Sequence, residues 1–356
     1  MRVLVTGGAG YIGSHTVKAL KDAGHHPIVI DNPVYGHKYI VNEILKVPFI
    51  ESNIGNKNLL ISILLGEHPI LKNTIHENKT IEAVLHFAAY AYVGESVQDP
   101  LKYYKNNVLE TTLLLDALCS EKIIKRTFNN LPIPIVFSST CATYGVPKMI
   151  PITEETPQKP INPYGKSKLF IEEIIKDLAV SYGLRSVILR YFNAAGAMPD
   201  SSFGEMHEPE THIIPLVIQT ALGIRDHIKI FGNDYETYDG TCIRDYIHVC
   251  DLADAHIKAL NLFVNKNNSK NINSCEIFNI GNGNGVSVKE VITTTAKIAS
   301  KEIKVIHAKR REGDPAILIS SSEKIKSLLD WEPKYPQIEK IIQDAFNWHK
   351  KFYEFN

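Results

Sequence analysis

The glycine-rich segment near the start of the chain constrains the fold more than any other feature. An apolar run at residues 3–5 leads directly into Gly7, Gly10 and Gly13, and an amphipathic helical pattern follows. A short strand, a glycine turn and a helix are typical of the opening of a βαβ unit. Two of the glycines allow the backbone to turn tightly and to approach a pyrophosphate, and the third allows the helix to pack closely on the strand.

The next helix and strand supply the remaining parts of a dinucleotide site. The helix is predicted to begin near Tyr11, where N–H groups and the positive end of the helix dipole favour phosphate. The strand at 26–30 ends on Asp31, about 20 positions after Gly13, where a carboxylate can accept hydrogen bonds from an adenosine ribose. Because Asp31 and Asn32 carry no positive charge and Asp31 would repel a 2′-phosphate, NAD is favoured over NADP.

Composition narrows the class of protein. The 356 residues suffice for two domains, and 39 basic residues balance 39 acidic ones, so no nucleic-acid partner is predicted. No apolar run is long enough to span a bilayer, and a fold that begins at residue 2 leaves no room for a cleavable signal peptide. The five scattered cysteines are expected to be reduced. These observations predict a cytoplasmic protein without a membrane partner.

Strands and helices alternate six times up to Tyr191, which predicts an α/β fold with a Rossmann-type doubly wound parallel sheet. The alternation breaks beyond Asn193, and the rest predicts a smaller C-terminal α/β substrate domain. We therefore expect an NAD-binding Rossmann domain at 1–193, with a return segment near 240–263, and a mainly substrate-binding domain at 194–356. A strand at 276–280 is assigned to the second domain. The connection 66–79 and the Asn-rich loop 265–274 carry no functional prediction.

A separate group of residues predicts acid–base chemistry. Thr140 follows the strand predicted at 133–137, and the helix predicted at 162–182 carries Tyr164 and Lys168. Residues with this spacing share one face of a helix. Tyrosine has a reference pKa of about 10, but a neighbouring ammonium and a positively charged nicotinamide ring favour the phenolate. With Thr140 at the same substrate oxygen, the three residues suit removal of a hydroxyl proton while hydride leaves the attached carbon.

Sequence segments along the whole chain resemble one known family. They are VTGGAGYIGSHT at 5–16, DN at 31–32, HFAAYAYVGESV at 86–97, YYKNNV at 103–108, FSSTCATYG at 137–145, NPYGKSK at 162–168, LRYFNAAGA at 189–197, DGTCIRDYIHVCDLADAH at 239–256 and RREGD at 310–314. On these residues the chain resembles the extended short-chain dehydrogenase/reductase family, and within that family the enzymes that epimerise UDP-hexoses at C4. The segments agree in order and spacing.

The resemblance implies that NAD stays tightly bound, and it assigns the cofactor's contacts. Asp31 and Asn32 would lie at the ribose, Asn53 and Ile54 near adenine, and Phe192 beside the nicotinamide. The residues implied to bind NAD are Gly7, Gly10, Tyr11, Ile12, Gly13, Asp31, Asn32, Asn53, Ile54, Phe87, Ala88, Ala89, Asn106, Thr140, Tyr164, Lys168 and Phe192.

The resemblance also implies a UDP-sugar site. Its residues would be Thr140, Tyr164, Asn193, His212, Ile213, Phe231, Arg244, Arg311 and Asp314. Two arginines can neutralise a diphosphate, Asp314 can accept from uridine ribose hydroxyls, and Phe231 offers a face to uracil. Two simpler interpretations stay open: Phe231 as plain core, and Arg244 as the ion-pair partner of its neighbour Asp245.

The implied activity is interconversion of UDP-glucose and UDP-galactose, as an enzyme of galactose and carbohydrate metabolism. Tyr164, Lys168 and Thr140 would be catalytic: Tyr164 takes the 4-OH proton while hydride moves from C4 to NAD, and return of the hydride to the other face of the 4-keto sugar inverts C4. A homodimer is expected, built from the helices near 100–120 and 162–182.

Three other activities remain to be weighed. Leu318 stands where some relatives have a bulkier tyrosine, so UDP-N-acetylhexosamines are possible substrates. A nucleotide-sugar 4,6-dehydratase needs an acid pair after the strand threonine, whereas Cys141 and Ala142 follow Thr140 here. A non-catalytic NAD-binding sensor would typically lack the tyrosine and the lysine, and both Tyr164 and Lys168 are present in this chain.

No metal site is predicted. His86, His212 and His248 are interpreted as structural residues, because no H-x-x-x-H motif and no cluster of His, Cys and Asp accompanies them.

Overall fold

The structure is a computed structural model that describes residues 1–127, 129–264, 274–311 and 314–355. It contains two compact units. Unit 1 comprises Met1–Thr143, Pro160–Arg190 and Ala253–Phe278, and unit 2 comprises Tyr144–Lys159, Tyr191–Leu252 and Asn279–Asn356. The functional division predicted at residue 193 stays a prediction. Most of the Asn-rich loop predicted at 265–274 lies outside the described residues.

In chain order the strands are β1 Arg2–Thr6, β2 His26–Asp31, β3 Phe49–Glu51, β4 Ala83–His86, β5 Ile135–Thr140, β6 Ser186–Tyr191, β7 Asn193–Ala195, β8 Ile228–Phe231, β9 Ile243–His248, β10 Cys275–Ile280, β11 Gly285–Ser287, β12 Val305–Ala308 and β13 Ile317–Leu318. The helices are α1 Tyr11–Asp22, α2 Lys57–Leu64, α3 Val93–Gln98, α4 Pro100–Tyr103, α5 Glu110–Leu118, α6 Glu121–Ile124, α7 Pro163–Tyr182, α8 Ile213–Ala221, α9 Val249–Asn261, α10 Val288–Ala299, α11 Glu323–Leu329 and α12 Ile338–Phe355. Short π-helical turns lie at Ile40–Leu45 and Tyr104–Leu109, and 3₁₀ turns at Pro69–Leu71 and Cys141–Thr143.

A seven-stranded sheet forms the centre of unit 1, in the order β3-β2-β1-β4-β5-β6-β10. β1 pairs in parallel with β2 on one side and with β4 on the other, and the β2–β3 and β4–β5 pairs are also parallel. The direction of strand addition reverses between β1 and β4, the point at which doubly wound folds place their ligands. The predicted α/β fold with a doubly wound sheet is confirmed.

The central strands of this sheet are buried on both faces. Val3, Leu4 and Val5 of β1 are completely buried, and every residue of β5 is buried. Strands covered on both sides read as continuous apolar runs instead of alternating ones, which is why the sequence located them readily.

Several helix ends follow the sequence signals. Asp99 caps α4 by accepting the N–H of Lys102, and Asn162 caps α7 by accepting the N–H of Gly165. Gly183 ends α7 in the left-handed region, with φ of 70°. The helix predicted at 100–120 is helical, but a π-helical turn at Tyr104–Leu109 separates α4 from α5.

Unit 2 has smaller sheets. β9 pairs with β7, β11 and β13, while β8 pairs with β12. Sequence analysis missed β9 because Arg244 and Asp245 interrupt its apolar residues. The buried carboxylate of Asp245 accepts from the Ser320 hydroxyl at 2.6 Å and from the N–H of Asn282 at 2.8 Å, so a charged residue fits inside a strand.

One assignment was wrong. The strand predicted at 276–280, placed with the C-terminal half, is β10 and forms an edge of the seven-stranded sheet beside β6. Sequence periodicity identifies a strand but does not reveal which sheet it joins, because pairing partners can be distant in the chain.

Candidate active site

The glycines between β1 and α1 shape a tight turn. Gly7 has φ of 72°, and a Cβ there would lie 2.5 Å from the backbone nitrogen of Ala88, so the ends of β1 and β4 touch through their backbones. A Cβ at Gly13 would lie 2.2 Å from the Gly7 carbonyl oxygen, which explains the close packing of helix on turn. Gly10 is the N-cap of α1 and offers no side chain there, so a ligand can reach the first N–H groups of the helix.

Asp31 lies at the end of β2, next to this turn. Its Oδ2 accepts the N–H of Ala9 at 2.9 Å, and burial raises the pKa of the carboxyl to about 6. The side-chain amide of Asn32 donates to Oδ1 of Asn53 at 2.8 Å, which links the ends of β2 and β3. Ile54 is part of the buried core. The residues predicted at the adenosine end therefore lie along one edge of the sheet.

The residues after β4 form the next part of this edge. Phe87, Ala88 and Ala89 are partly exposed, and the Phe87 ring lies 4.7 Å from that of His256. The Asn106 side chain, also partly exposed, donates to Oδ1 of Asn107 at 2.9 Å.

Asn107 is a positioning residue that sequence analysis missed. It is completely buried, its Oδ1 accepts the N–H of Tyr90 at 2.9 Å, and its Nδ2 donates to the Tyr90 carbonyl at 3.0 Å. Nδ2 also lies 3.1 Å from the Ser167 hydroxyl on α7. Asn107 thus ties the segment after β4 to the helix that carries Tyr164 and Lys168. The motif YYKNNV is its only sequence signal.

Thr140, Tyr164 and Lys168 come together where β5 ends and α7 begins. Lys168 Nζ donates to the carbonyl of Ser138 on β5 at 2.8 Å. A Cβ at Gly165 would lie 2.5 Å from the carbonyl oxygen of Ala142, so the first turn of α7 packs directly on the residues after Thr140. Thr140 is 7% exposed and Tyr164 9%, which leaves each a small accessible surface.

Lys168 is buried, with 3% of its surface exposed. Burial lowers the pKa of its ammonium to about 7, and the attraction of Glu172 acts in the opposite direction. Glu172, one turn further along α7, is itself buried and forms an ion pair with Arg190, with Oε2 2.6 Å from Nη2, and it accepts the hydroxyl of Ser139. A buried charged network therefore supports the helix face on which Lys168 lies.

His86 and His248 are structural, as expected. His86 is buried, with its ring nitrogens 2.6 Å from the Thr6 hydroxyl and 2.8 Å from the Thr111 hydroxyl. Burial, with a smaller contribution from Lys168, lowers its pKa to about 3, so the ring is neutral. His248 accepts the N–H of Cys250 at 3.1 Å.

The other predicted residues belong to unit 2. Arg244 forms an ion pair with Asp314, whereas the simpler interpretation paired it with its neighbour Asp245. The Arg311 guanidinium lies 4.0 Å from the ring centroid of Phe231, which is partly exposed. These four residues of the predicted UDP site therefore form two contacting pairs.

The remaining predicted residues of unit 2 lie at element ends. Phe192 is buried and immediately precedes Asn193, the first residue of β7, while Ile213 is the first residue of α8. Leu318 is buried in β13.

His212 has neighbours that the sequence interpretation overlooked. Its Nδ1 lies 2.8 Å from Glu205 Oε1 and 2.9 Å from Glu210 Oε1, and His207 joins the same group. The sequence interpretation considered clusters of His, Cys and Asp only, and it therefore overlooked a group in which two glutamates join two histidines. The overlooked signal is the spacing E-x-H-x-x-E-x-H at 205–212.

None of the helices in the described part of the chain is both long and apolar enough to cross a membrane. All five cysteines are described, and each is a free thiol.

Comparison with known proteins gives a consistent result. The family model described as GDP-mannose 4,6 dehydratase matches residues 4–345. UDP-glucose 4-epimerase of Halalkalibacterium halodurans is 47% identical over 99% of this chain and 96% of that protein. The crystal structure of the Brucella ovis UDP-glucose 4-epimerase in complex with NAD has a TM-score of 0.84 at 42% identity, covering 97% of each chain. The Bifidobacterium longum UDP-glucose 4-epimerase in complex with NAD⁺ and UDP has a TM-score of 0.83 at 34% identity, covering 99% of this chain and 98% of that one.

The broad family model and the individual relatives differ in the reaction that their names state. A dehydratase is expected to carry an acid pair after the strand threonine, whereas this chain has Cys141 and Ala142. The chain is also 47% identical to an epimerase over nearly its full length, which agrees with the absence of the acid pair after Thr140. On its sequence, its fold and the geometry of Thr140, Tyr164 and Lys168, the chain belongs to the UDP-glucose 4-epimerase family of extended short-chain dehydrogenases/reductases.

Proposed function

We propose that this protein interconverts UDP-glucose and UDP-galactose by inverting C4 through a 4-keto sugar. The observation that carries the proposal is the arrangement of Tyr164 and Lys168 on one face of α7, with the first turn of that helix packed against the residues after Thr140. A tyrosine and a lysine placed in this way suit proton removal from a secondary hydroxyl. The same activity would place the protein in galactose metabolism, and a cytoplasmic location remains our prediction.

NAD fits the residues present in unit 1. Gly10 and the start of α1 offer backbone N–H groups to a pyrophosphate, and the backbone contact of Gly7 with Ala88 leaves no side chain in the way. The Asp31 carboxylate is placed to accept ribose hydroxyls. Bound NAD would supply the acceptor and donor of hydride at sugar C4.

Tyr164 would hold the proton of the sugar 4-hydroxyl. Its phenol must lose its own proton near neutral pH, which requires positive charge nearby. We assign that charge to the Lys168 ammonium, supported by Glu172 on the next turn. The Thr140 hydroxyl would bind the same sugar oxygen and keep it in line with Tyr164. When C4 is reduced again, Tyr164 returns the proton to that oxygen.

Unit 2 would bind the UDP moiety. Arg244 and Arg311 would neutralise the diphosphate, and Phe231 would stack on uracil, with Asn193, His212, Ile213 and Asp314 completing the set. Arg244 is paired with Asp314, and Arg311 lies on Phe231. Both arginines are thus already held in place by neighbours, which lowers the entropy lost when the nucleotide binds. Tight binding of UDP and loose binding of the hexose would let the 4-keto sugar rotate and present its other face to the hydride, while the UDP moiety keeps it in the site.

The direct test is turnover without added cofactor. Purified protein is incubated with UDP-galactose and no NAD, and UDP-glucose is measured by chromatography. We expect UDP-glucose to accumulate to a constant ratio with no net change in nicotinamide absorbance. A 4-keto-6-deoxy product would indicate a dehydratase, and absence of turnover in protein that contains NAD would contradict the proposal.

The role of Tyr164 is tested by Tyr164→Phe, which removes only the phenolic oxygen. We expect kcat to fall by about 10²- to 10⁴-fold, the usual contribution of a general acid–base group, while the bound NAD is retained. Tyr182→Phe, at the exposed C-terminal end of the same helix, is the matched control and should keep full activity. Equal kcat values for the two variants would refute the assignment.

We also propose a homodimer that buries part of α4, the following π-helical turn and α7. Leu101 and Leu109 are 64% and 55% exposed, and Phe170 on α7 is 48% exposed. Apolar side chains grouped on neighbouring helices are typical of protein–protein interfaces. Sedimentation of the purified protein should give twice the 39.9 kDa chain mass, and Phe170→Glu should shift it toward the monomer.

A further inference from the structure

Four potential metal ligands converge in the segment between β7 and α8. Glu205, His207, Glu210 and His212 each offer one ligand atom, and these atoms all lie within 4.8 Å of one another. None of the four belongs to the acid–base set of Thr140, Tyr164 and Lys168. Only His212 entered the sequence predictions, as a residue of the UDP site.

Four distances among these side chains lie close to the edge length of a tetrahedral metal site. Glu205 Oε1 lies 2.8 Å from His212 Nδ1 and 3.1 Å from His207 Nδ1. The Glu210 oxygens lie 2.9 Å from His212 Nδ1 and 3.8 Å from His207 Nδ1. Zinc binds histidine nitrogen and carboxylate oxygen at about 2.0–2.2 Å, so the edges of a tetrahedron around it measure about 3.4 Å. The observed separations lie on both sides of that value.

The surroundings also suit a bound ion. The side chains of Glu205 and Glu210 are 4% and 5% exposed, whereas that of His212 is 42% exposed and gives an entry path from solvent. Glu210 Oε1 accepts the N–H groups of Thr211 and His212 at 2.7 and 2.8 Å, and the Glu205 carbonyl accepts the indole N–H of Trp348 at 3.3 Å. The acidic ligands are therefore held in place by neighbouring groups, as in known metal sites.

Sequence spacing lowers the cost of assembling the site. The four residues lie within the eight positions 205–212, so one short loop supplies every ligand and little chain entropy is lost in closing it.

We propose that Glu205, His207, Glu210 and His212 together bind one divalent transition-metal ion, with Zn²⁺ preferred over Mg²⁺ and Ca²⁺. Imidazole nitrogen selects transition metals, whereas magnesium and calcium take oxygen ligands. The two carboxylates balance the charge of the ion. The site is structural, because four protein ligands fill a tetrahedral shell and leave no open position for a substrate.

The bound ion would fix the segment that leads into α8. His212 is the N-cap of that helix, so the metal would anchor the helix start through its ring. His212 Nδ1, the ring nitrogen that faces the glutamates, would then bind the metal. Any contact of this segment with UDP would come from its backbone and from Ile213, a consequence that rests on the proposed function.

The test uses protein without a polyhistidine tag and with its NAD retained. The protein is treated with EDTA, dialysed, and titrated with Zn²⁺ in a chelator-buffered series, and the bound metal is counted by mass spectrometry. We expect one Zn²⁺ per chain with a dissociation constant below about 1 µM. His207→Gln and His212→Gln should each weaken binding about 100-fold or more, since residues that merely orient a ligand already contribute about 10- to 100-fold.

His307→Gln is the matched control, because His307 is an exposed histidine of unit 2 outside the cluster. It should bind Zn²⁺ as the wild type does. Zn²⁺ should also raise the unfolding temperature of the wild type and of His307→Gln, but not that of His207→Gln. Far-UV circular dichroism shows that each variant is folded, since retained NAD reports on unit 1 whereas the cluster lies in unit 2.

X-ray absorption at the zinc edge of the wild-type protein tests the ligands independently of any variant. Nitrogen and oxygen donors at about 2.0–2.2 Å, two of them imidazoles, are expected. Sulfur in the first coordination shell would overturn the proposal, because it would place the metal on a cysteine. Equal Zn²⁺ affinity in the wild type and in His207→Gln would overturn it too, and the cluster would then be an ion-pair network of protonated histidines and glutamates.

Discussion

Gly10→Ala should weaken NAD binding without disturbing the fold. An ideal Cβ at Gly10 has the Gly7 carbonyl oxygen as its nearest neighbour, at 3.4 Å, and the φ of −78° suits alanine. The added methyl group therefore fits the protein. It would not fit a pyrophosphate lying against the same backbone, because a phosphate oxygen accepting an N–H at about 2.9 Å comes too close to that carbon.

The expected magnitude follows from the cost of overpacking. Forcing one extra carbon into a filled site costs about 1–3 kcal/mol, which corresponds to an NAD dissociation constant about 5- to 150-fold higher. The free energy of unfolding of the NAD-free variant should stay within about 0.5 kcal/mol of wild type, as for substitutions that create no clash.

Gly13→Ala and Gly94→Ala are the two control variants, the first expected to be destabilising and the second neutral. At Gly13 the new Cβ would lie 2.2 Å from the Gly7 carbonyl oxygen, so the backbone of the turn must move by about 1 Å to reach an ordinary contact, and both NAD binding and stability should fall. At Gly94, in α3, no heavy atom lies within 4 Å of the added Cβ, so alanine should be neutral or slightly stabilising.

The assay measures two quantities for each variant. The NAD dissociation constant is measured by titrating NAD-stripped protein, and the stability of NAD-free protein is measured by urea unfolding. If Gly10→Ala bound NAD as tightly as Gly94→Ala, the pyrophosphate would not lie at this turn. If it were as unstable as Gly13→Ala, the argument from available space would be refuted.

Two further predictions concern the charged groups of α7. Glu172→Gln removes the carboxylate that pairs with the buried Arg190 guanidinium and should lower the free energy of unfolding by about 3–5 kcal/mol. The control is Glu173→Gln, which breaks only a surface ion pair and should change the free energy of unfolding by less than about 1 kcal/mol. Urea unfolding of both variants at one pH measures the difference. Burial lowers the pKa of Lys168 to about 7, so from there to about pH 10 the unfolded chain binds a proton that the folded chain does not. Stability of NAD-free protein should therefore rise with pH over this interval, and Lys168→Met should flatten that rise; identical pH profiles would contradict the shift.

The parts of unit 1 that sequence analysis predicted well are those with local signals. A buried parallel strand reads as an apolar run, and Asn162 and Gly183 mark the ends of α7 because capping depends on a few neighbouring residues. The glycine turn was predictable for the same reason, since its geometry is fixed within seven positions.

Long-range contacts were not predictable in this way. Nothing near Asp314 in the sequence indicates that it pairs with Arg244, and nothing near Asn107 indicates that it joins Tyr90 to Ser167. The strand that carries Arg244 was missed because a buried charge breaks the apolar pattern. The roles assigned to the cofactor and substrate residues remain predictions that the variants above test.

The π-helical turn at Tyr104–Leu109 sets the direction of the Asn107 side chain. A π-helical turn contains one residue more than an α-helical turn, so a helix can lose that residue and keep the orientation of the segments on either side. Deleting one residue at Tyr104–Leu109 would therefore leave α4 and α5 aligned but would change the direction of the side chains within the turn. Asn107 would then no longer face the Tyr90 backbone that it now holds. A single-codon deletion in this segment would thus remove a local contact of unit 1 and preserve the course of the helix.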